Sequence, residues 1–182
     1  MDSEADLMQR ARRLEEEALV EIYDWLSPEI YRYAVRLLGN ADLAEECVAE
    51  TFSRWLNALT DGKGPREYLR AYLYRVAHNW ISDLYRRSPT PSQPLEAELL
   101  ADPEENPSQA AQESLDREQV RAALARLTAD QRQVIVLHYI EGWGHGEIAR
   151  ALDKKEGAVR ALQHRALNAL RRVLLPESEA IS

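Results

Sequence analysis

From residue 88 to about residue 114 the chain carries Pro89, Pro91, Pro94, Pro103 and Pro107 among acidic and small residues, with no lysine or arginine. Such a stretch removes backbone donors and has too little apolar surface to offset the entropy lost on ordering. It reads as a linker, and it divides the 182 residues into two segments that must each close a core. Outside it Ala, Leu, Glu and Arg dominate, and 7 glycines with 8 prolines are too few for a turn-rich β protein. The expected fold is all-α: two small helical domains, over 1–88 and 115–182, joined by an acidic Pro-containing linker over 89–114.

Local signals punctuate the first segment. Ser27 is placed to cap a helix that opens at Pro28 and ends at Gly39. Asp42 and Glu45 have capping-box spacing, and Leu43, Cys47, Phe52, Leu56 and Leu59 supply apolar positions for the next helix. Pro65 is expected to open a long helix reaching about Arg87, with Leu69, Leu73, Val76, Trp80 and Leu84 as its buried stripe. The other face then carries Tyr72, Arg75, Asn79, Asp83 and Arg86.

Several functions are disfavoured by composition. No apolar run suits a signal peptide or a membrane span, so a cytoplasmic protein with no stable membrane insertion is expected. Cys47 is the only cysteine and reads as a buried, inert thiol; with the 4 histidines it forms no recognisable metal-ligand spacing. No nucleophile, phosphate loop or metal site stands out, so no catalytic residue and no cofactor are expected, and the chain is not read as an enzyme.

The second segment contains EGWGHGEIARALDKKEGAVRALQHRAL, residues 141–167, with the pattern of a helix-turn-helix. Two helices crossing steeply need a small residue where they touch and apolar residues pointing inward. Ile148, Ala149 and Leu152 on the first helix, with Val159 and Leu162 on the second, satisfy that geometry. Asp153 stands where the turn usually has glycine, and Asp tolerates a left-handed backbone better than most residues. With the apolar side turned in, Lys154, Lys155, Arg160, Ala161, His164 and Arg165 face outward near the end that enters a major groove. Arginine there can bond two acceptors on guanine, and the lysines can neutralise phosphates.

The long helix of the first segment interleaves Tyr68, Tyr72, Tyr74, Trp80 and Tyr85 with Arg66, Arg70, Arg75, His78, Asn79, Arg86 and Arg87. Flat rings, an amide and cations suit unstacked bases and their backbone, although Trp80 itself lies in the apolar stripe and reads as core. Asp42, Glu45, Glu46 and Glu50 form either a solvated face or a docking face for a basic partner.

Taken together, these segments resemble an extracytoplasmic-function sigma factor of the sigma-70 family, an RNA polymerase initiation factor. YRYAVRLLGNADLAEECVAETFSRWL resembles the stretch that binds the polymerase clamp helices, with Ala49 in place of a common glutamine. YLYRVAHNWISDLYRR resembles the stretch that reads and opens the downstream promoter box; Asn79, Asp83, Arg86 and Arg87 match, and Tyr72 replaces a tryptophan. LTADQRQVIVLHYIEGWGHGEIARAL with EGAVRALQHRALNALRRVL resembles the domain that reads the upstream box, with Ala158 and Ala161 replacing residues that are often hydroxylated. The resemblance implies three partners: bacterial core RNA polymerase, promoter DNA (duplex upstream and single-stranded downstream) and an anti-sigma factor. It implies polymerase binding through Asp42, Glu45, Glu46 and Glu50, and strand opening through Lys63, Arg75, Asn79, Arg86 and Arg87. The rival reading is an autonomous helix-turn-helix regulator with an N-terminal dimerisation or sensing lobe.

Overall fold

The computed structural model describes residues 3–87 and 107–175; residues 89–106 of the expected linker lie outside these residues, whereas its last part, 107–114, is the start of a helix rather than irregular chain. The first lobe contains α1 (Glu4–Arg12), α2 (Glu16–Leu38), α3 (Ala41–Thr60) and α4 (Leu69–Arg87). The second contains α5 (Pro107–Ala125), α6 (Ala129–Ile135), α7 (His145–Leu152) and α8 (Glu156–Leu174). A single π-helical turn, Val136–Ile140, extends α6.

The first lobe closes around large side chains that alternate between helices. Ile22, Leu26, Ile30 and Tyr33 of α2 meet Trp55 of α3 and Leu69, Leu73 and Ile81 of α4, all essentially solvent-free. An edge-on ring pair knits α2 to α3, with Tyr23 and Phe52 centroids 4.8 Å apart, and Phe52 in turn packs edge-on against Trp55 of its own helix at 5.9 Å. Cys47 is buried here as expected; desolvation pushes its thiol up to about 12.

Three local expectations are corrected. Pro28 does not open a helix, because α2 already runs from Glu16 and Pro28 lies inside it, with Glu15 as the N-cap residue. Burial on both sides of Pro28, at Leu26 and Ile30, holds the helix through a residue that would break an isolated one. The next helix is capped by Asn40, whose side chain accepts from the Leu43 N–H at 2.9 Å, rather than by an Asp42–Glu45 box; Leu56 stands 39% exposed instead of packing. Pro65 is followed by Tyr68 in a left-handed backbone (φ 56°), and the helix begins only at Leu69.

The stripe expected along α4 is also rotated. Leu69, Leu73, Ala77 and Ile81 are buried on one side, whereas Trp80 and Leu84 are only partly buried and Val76 is half-buried. A second buried row, Tyr74, His78 and Ser82, lies at four-residue steps. The second lobe covers that row: α7 packs on α4, and Trp143, just ahead of α7, lies 4.7 Å from the Tyr74 ring.

Gly39 ends α2 in the left-handed conformation, φ 64°, as expected. It also lies under α5, where a Cβ would meet Arg121 Nε at 2.9 Å. Arg132 of α6 locks the end of α5 by donating to the carbonyls of Leu124 at 2.9 Å and Leu127 at 3.1 Å.

Candidate nucleic-acid interface

The helix-turn-helix is built from a tight turn and a close crossing. Asp153 adopts φ 54°, ψ 48°, and the Lys154 N–H reaches back to the Ala149 carbonyl at 2.9 Å, closing the end of α7. Gly146 is the small residue at the crossing, since a Cβ there would meet Glu156 Oε1 at 3.2 Å. Ile148 and Val159 are fully buried between the helices, and Leu152 and Leu162 are partly buried. Polar contacts fix the crossing further: Gln163 donates to the Tyr139 hydroxyl at 2.8 Å, while its amide oxygen lies 2.6 Å from His145 Nε2. This polar link was not singled out from the sequence.

On α8, Arg160, Ala161, His164 and Arg165 are exposed. Arg160 and His164 share a shallow groove with Gln163, Leu167, Asn168 and Arg171. Their internal contacts are weak and surface-bound: Arg160 lies 3.5 Å from Glu156, and Arg165 donates to the Ala161 carbonyl at 3.3 Å. Lys155 is exposed at the N-cap of α8. Lys154 instead turns back to Asp130 at 3.0 Å.

The residues expected to handle a single strand divide between two clefts, both at the boundary with the second lobe. Asn79 and Arg86 line one, of about 520 Å³, with Tyr85 and, opposite, Thr128, Asp130 and Leu162. Lys63 and Arg75 line the other, of about 360 Å³, with Tyr68 and Tyr72 and, opposite, Arg150 and Asp153. The Arg75 guanidinium lies 5.6 Å from the Tyr72 ring, and Arg86 pairs with Asp83 at 2.9 Å. Arg87 is exposed at the end of α4 and lines neither cleft.

Between the lobes sits His78, bracketed by the Tyr33 hydroxyl at 3.4 Å, Ser82 Oγ at 3.3 Å and Asp130 at 3.6 Å. Burial pushes the imidazole below its ordinary value, against the pull of Asp130. Asp130 is held down at about 2, first by His78 and then by Lys154. Other contacts across the boundary were not foreseen: Arg36 with Glu141, Arg150 over Tyr68 at 4.5 Å, and Arg70 over Trp143 at 4.6 Å.

On α3, Asp42, Glu45 and Glu46 are exposed and Glu50 is half-exposed, paired with Arg54 at 3.0 Å. Along the same side of the helix the surface continues through Ala49 and Ser53 to exposed Leu56, giving an acidic end and an apolar end. Among the described residues no group of His, Cys, Asp and Glu could hold a metal ion, and no helix is long and apolar enough to cross a membrane.

Residues 22–89 match the family Sigma-70 region 2, and residues 117–170 match Sigma-70, region 4. The chain is 36% identical over 154 residues to the ECF RNA polymerase sigma factor SigL of Mycobacterium tuberculosis, covering 84% of this chain and 86% of that protein. It is 30% identical over 171 residues to the ECF RNA polymerase sigma factor BldN of Streptomyces coelicolor, covering 93% of this chain and spanning 65% of the relative's length. Among solved structures, CnrH in complex with the cytosolic domain of CnrY is similar over 97% of this chain and 100% of that one, with a TM-score of 0.70 and 25% identity. The sigma factor RpoE of Bartonella quintana, solved with the anti-sigma factor NepR, shares the fold with a TM-score of 0.59 at 23% identity over 86% of this chain and 96% of that one. The chain belongs to the ECF RNA polymerase sigma factors of the sigma-70 family.

Proposed function

We propose that this factor binds bacterial core RNA polymerase and supplies promoter specificity at two points, while the chemistry of nucleotide addition stays with the polymerase. The observation that carries the reading is the pairing of an exposed Arg160–His164–Arg165 face on α8 with an Asn79-bearing helix in the other lobe. The α8 face, with Ala161 and Lys155, reads the upstream box as duplex; the positive N-terminal end of the helix and Lys154 add phosphate contacts once Lys154 leaves Asp130. Lys63, Arg75, Asn79, Arg86 and Arg87 handle the downstream box, where an extruded base of one strand is captured. A pocket that accepts only an unstacked base shifts the equilibrium toward open DNA.

The acidic and apolar stripe of α3, from Asp42 through Glu45, Glu46 and Glu50 to Leu56, docks a basic, partly apolar surface of the polymerase. The domain limits proposed are 1–88 for the polymerase and downstream-box lobe and 115–182 for the upstream-box lobe, with 89–114 between them, of which residues 107–114 form the first turns of α5 and extend the upstream-box lobe. An anti-sigma factor regulates the protein; support comes from the likeness to CnrH, which was solved bound to the cytosolic domain of CnrY. The protein works in the cytoplasm and has no catalytic activity of its own.

Transcription with purified core polymerase on a genomic fragment library tests this reading. Discrete, factor-dependent start sites sharing two sequence boxes are expected. Tight operator binding by a dimer without polymerase, and no factor-dependent transcript, would support the rival regulator.

A further inference from the structure

We infer that the Tyr139 hydroxyl donates to a backbone phosphate of the upstream-box duplex, and that Gln163, although it lies in the reading groove, positions that hydroxyl instead of reading a base. The inference rests on the role proposed above for α8. Four side chains from three elements close a circuit here: His138 and Tyr139 from the π-helical turn, His145 from the start of α7 and Gln163 from α8. Gln163 donates to the Tyr139 hydroxyl at 2.8 Å, and its amide oxygen lies 2.6 Å from His145 Nε2. The His145 ring stacks on His138 with centroids 4.8 Å apart, and His138 meets the Tyr139 ring edge-on, also at 4.8 Å. His138 is fixed in turn through Nδ1, which lies 2.8 Å from the Trp143 carbonyl.

The circuit has a direction. An amide oxygen only accepts, so His145 Nε2 donates to Gln163 Oε1, and the Gln163 amide nitrogen donates onward to the Tyr139 oxygen. The tyrosine proton is what remains, and among the described residues no acceptor takes it. Tyr139 is 54% exposed, so that proton is open to an acceptor from outside. An anionic oxygen suits it best, because a hydrogen bond to a charged partner is roughly twice as strong as one between neutral groups.

Position decides which anion. Gln163 borders Arg160, His164 and Asn168 in the α8 groove, so the Tyr139 hydroxyl bonded to it stands on the flank of the reading face. A helix seated in a major groove about 12 Å wide has base edges ahead of it and phosphates along its flanks. The flank hydroxyl therefore meets the sugar–phosphate backbone. Reading adenine would need the oxygen and the nitrogen of the Gln163 amide together, and both are already engaged. The π-helical turn that carries His138 and Tyr139 is itself a local departure of the kind that recurs at functional sites.

The test uses holoenzyme assembled from core polymerase and the full chain, carrying Tyr139→Phe, Gln163→Met or both. Selection from a random-sequence duplex pool gives the upstream sequence each form prefers, and single methylphosphonate substitutions scanned through that duplex show which phosphates matter. Tyr139→Phe should weaken binding about tenfold, the scale of one hydrogen bond to a charged group, with the preferred sequence unchanged because phosphate contacts carry no sequence information. One phosphate whose neutralisation weakens the natural factor should become indifferent in that variant. Gln163→Met keeps the volume but unties the hydroxyl; it should give a smaller loss at the same phosphate, and the double variant should lose no more than Tyr139→Phe alone. Unchanged affinity in Tyr139→Phe, a phosphate scan identical to that of the natural factor, or a changed base preference in Gln163→Met would each overturn the inference. Duplex binding that depends on Tyr139 but shows no sequence preference would instead sink the proposed promoter reading and leave the phosphate contact standing.

Discussion

Helices α4 and α8 are each 19 residues long and each carries a proposed DNA-reading face, but they are held very differently. Eight residues of α4 are buried, seven of them in two rows facing the first-lobe core and the second lobe, with Ala71 beside them; on α8 only Val159 and Ala166 are. One helix is structural on most of its circumference and reads DNA with what remains. The other is anchored by a narrow seam and offers its surface freely. A face that must wait for a strand to unstack can be covered until needed, whereas a face that searches duplex DNA is useful only when open.

The largest effect that would sharpen this contrast is on stability. Leu73→Ala, at a solvent-free position of α4, should cost ~2–5 kcal/mol in denaturant unfolding, and Leu170→Ala on α8, partly buried, about 1 kcal/mol. Equal costs would break the comparison. Next in size, Arg160→Ala should weaken upstream-box binding by ~1–3 kcal/mol in a competition assay with holoenzyme, while affinity for core polymerase is unchanged. Parallel loss of both would mean that α8 serves the polymerase rather than the DNA.

A smaller effect concerns pH. His78 is buried in the closed state by Tyr33, Ser82 and Asp130, with Arg132 and Lys154 opposing its charge, and its value is lowered from 6.5. An opened molecule whose His78 is solvated therefore binds a proton more readily than the closed one. The stabilisation from neutral His78 is present above pH 6.5 and declines as pH falls through that value; Asp130, held down at about 2, stays charged throughout this window. Energy transfer between the lobes should fall from pH 7 to pH 5 and stay flatter in His78→Gln. A slope that persists in that variant would assign the effect to another group.

Much of this was legible because it is local. Gly39 and Asp153 were readable as left-handed turn residues, and the spacing of Ile148, Ala149, Val159 and Leu162 was enough to place the crossing of α7 and α8. The errors share one cause. Pro28 looks like a helix start and Pro65 like another, but burial around Leu26 and Ile30 carries α2 through the first, and Tyr68 turns back after the second to meet Arg150. Likewise Tyr74 and His78 read as part of a strand-binding surface until a second lobe lies on them. The one hint of that contact was Trp143 itself, a large apolar ring between two glycines with no helix of its own to pack into.

The division of labour between the two helices is tested most directly by probing a promoter bound by holoenzyme carrying Asn79→Ala. The upstream box should stay protected in a footprint while permanganate reactivity of the downstream strand appears more slowly than with the natural factor. Unchanged reactivity, or loss of upstream protection along with it, would contradict separate roles for α4 and α8.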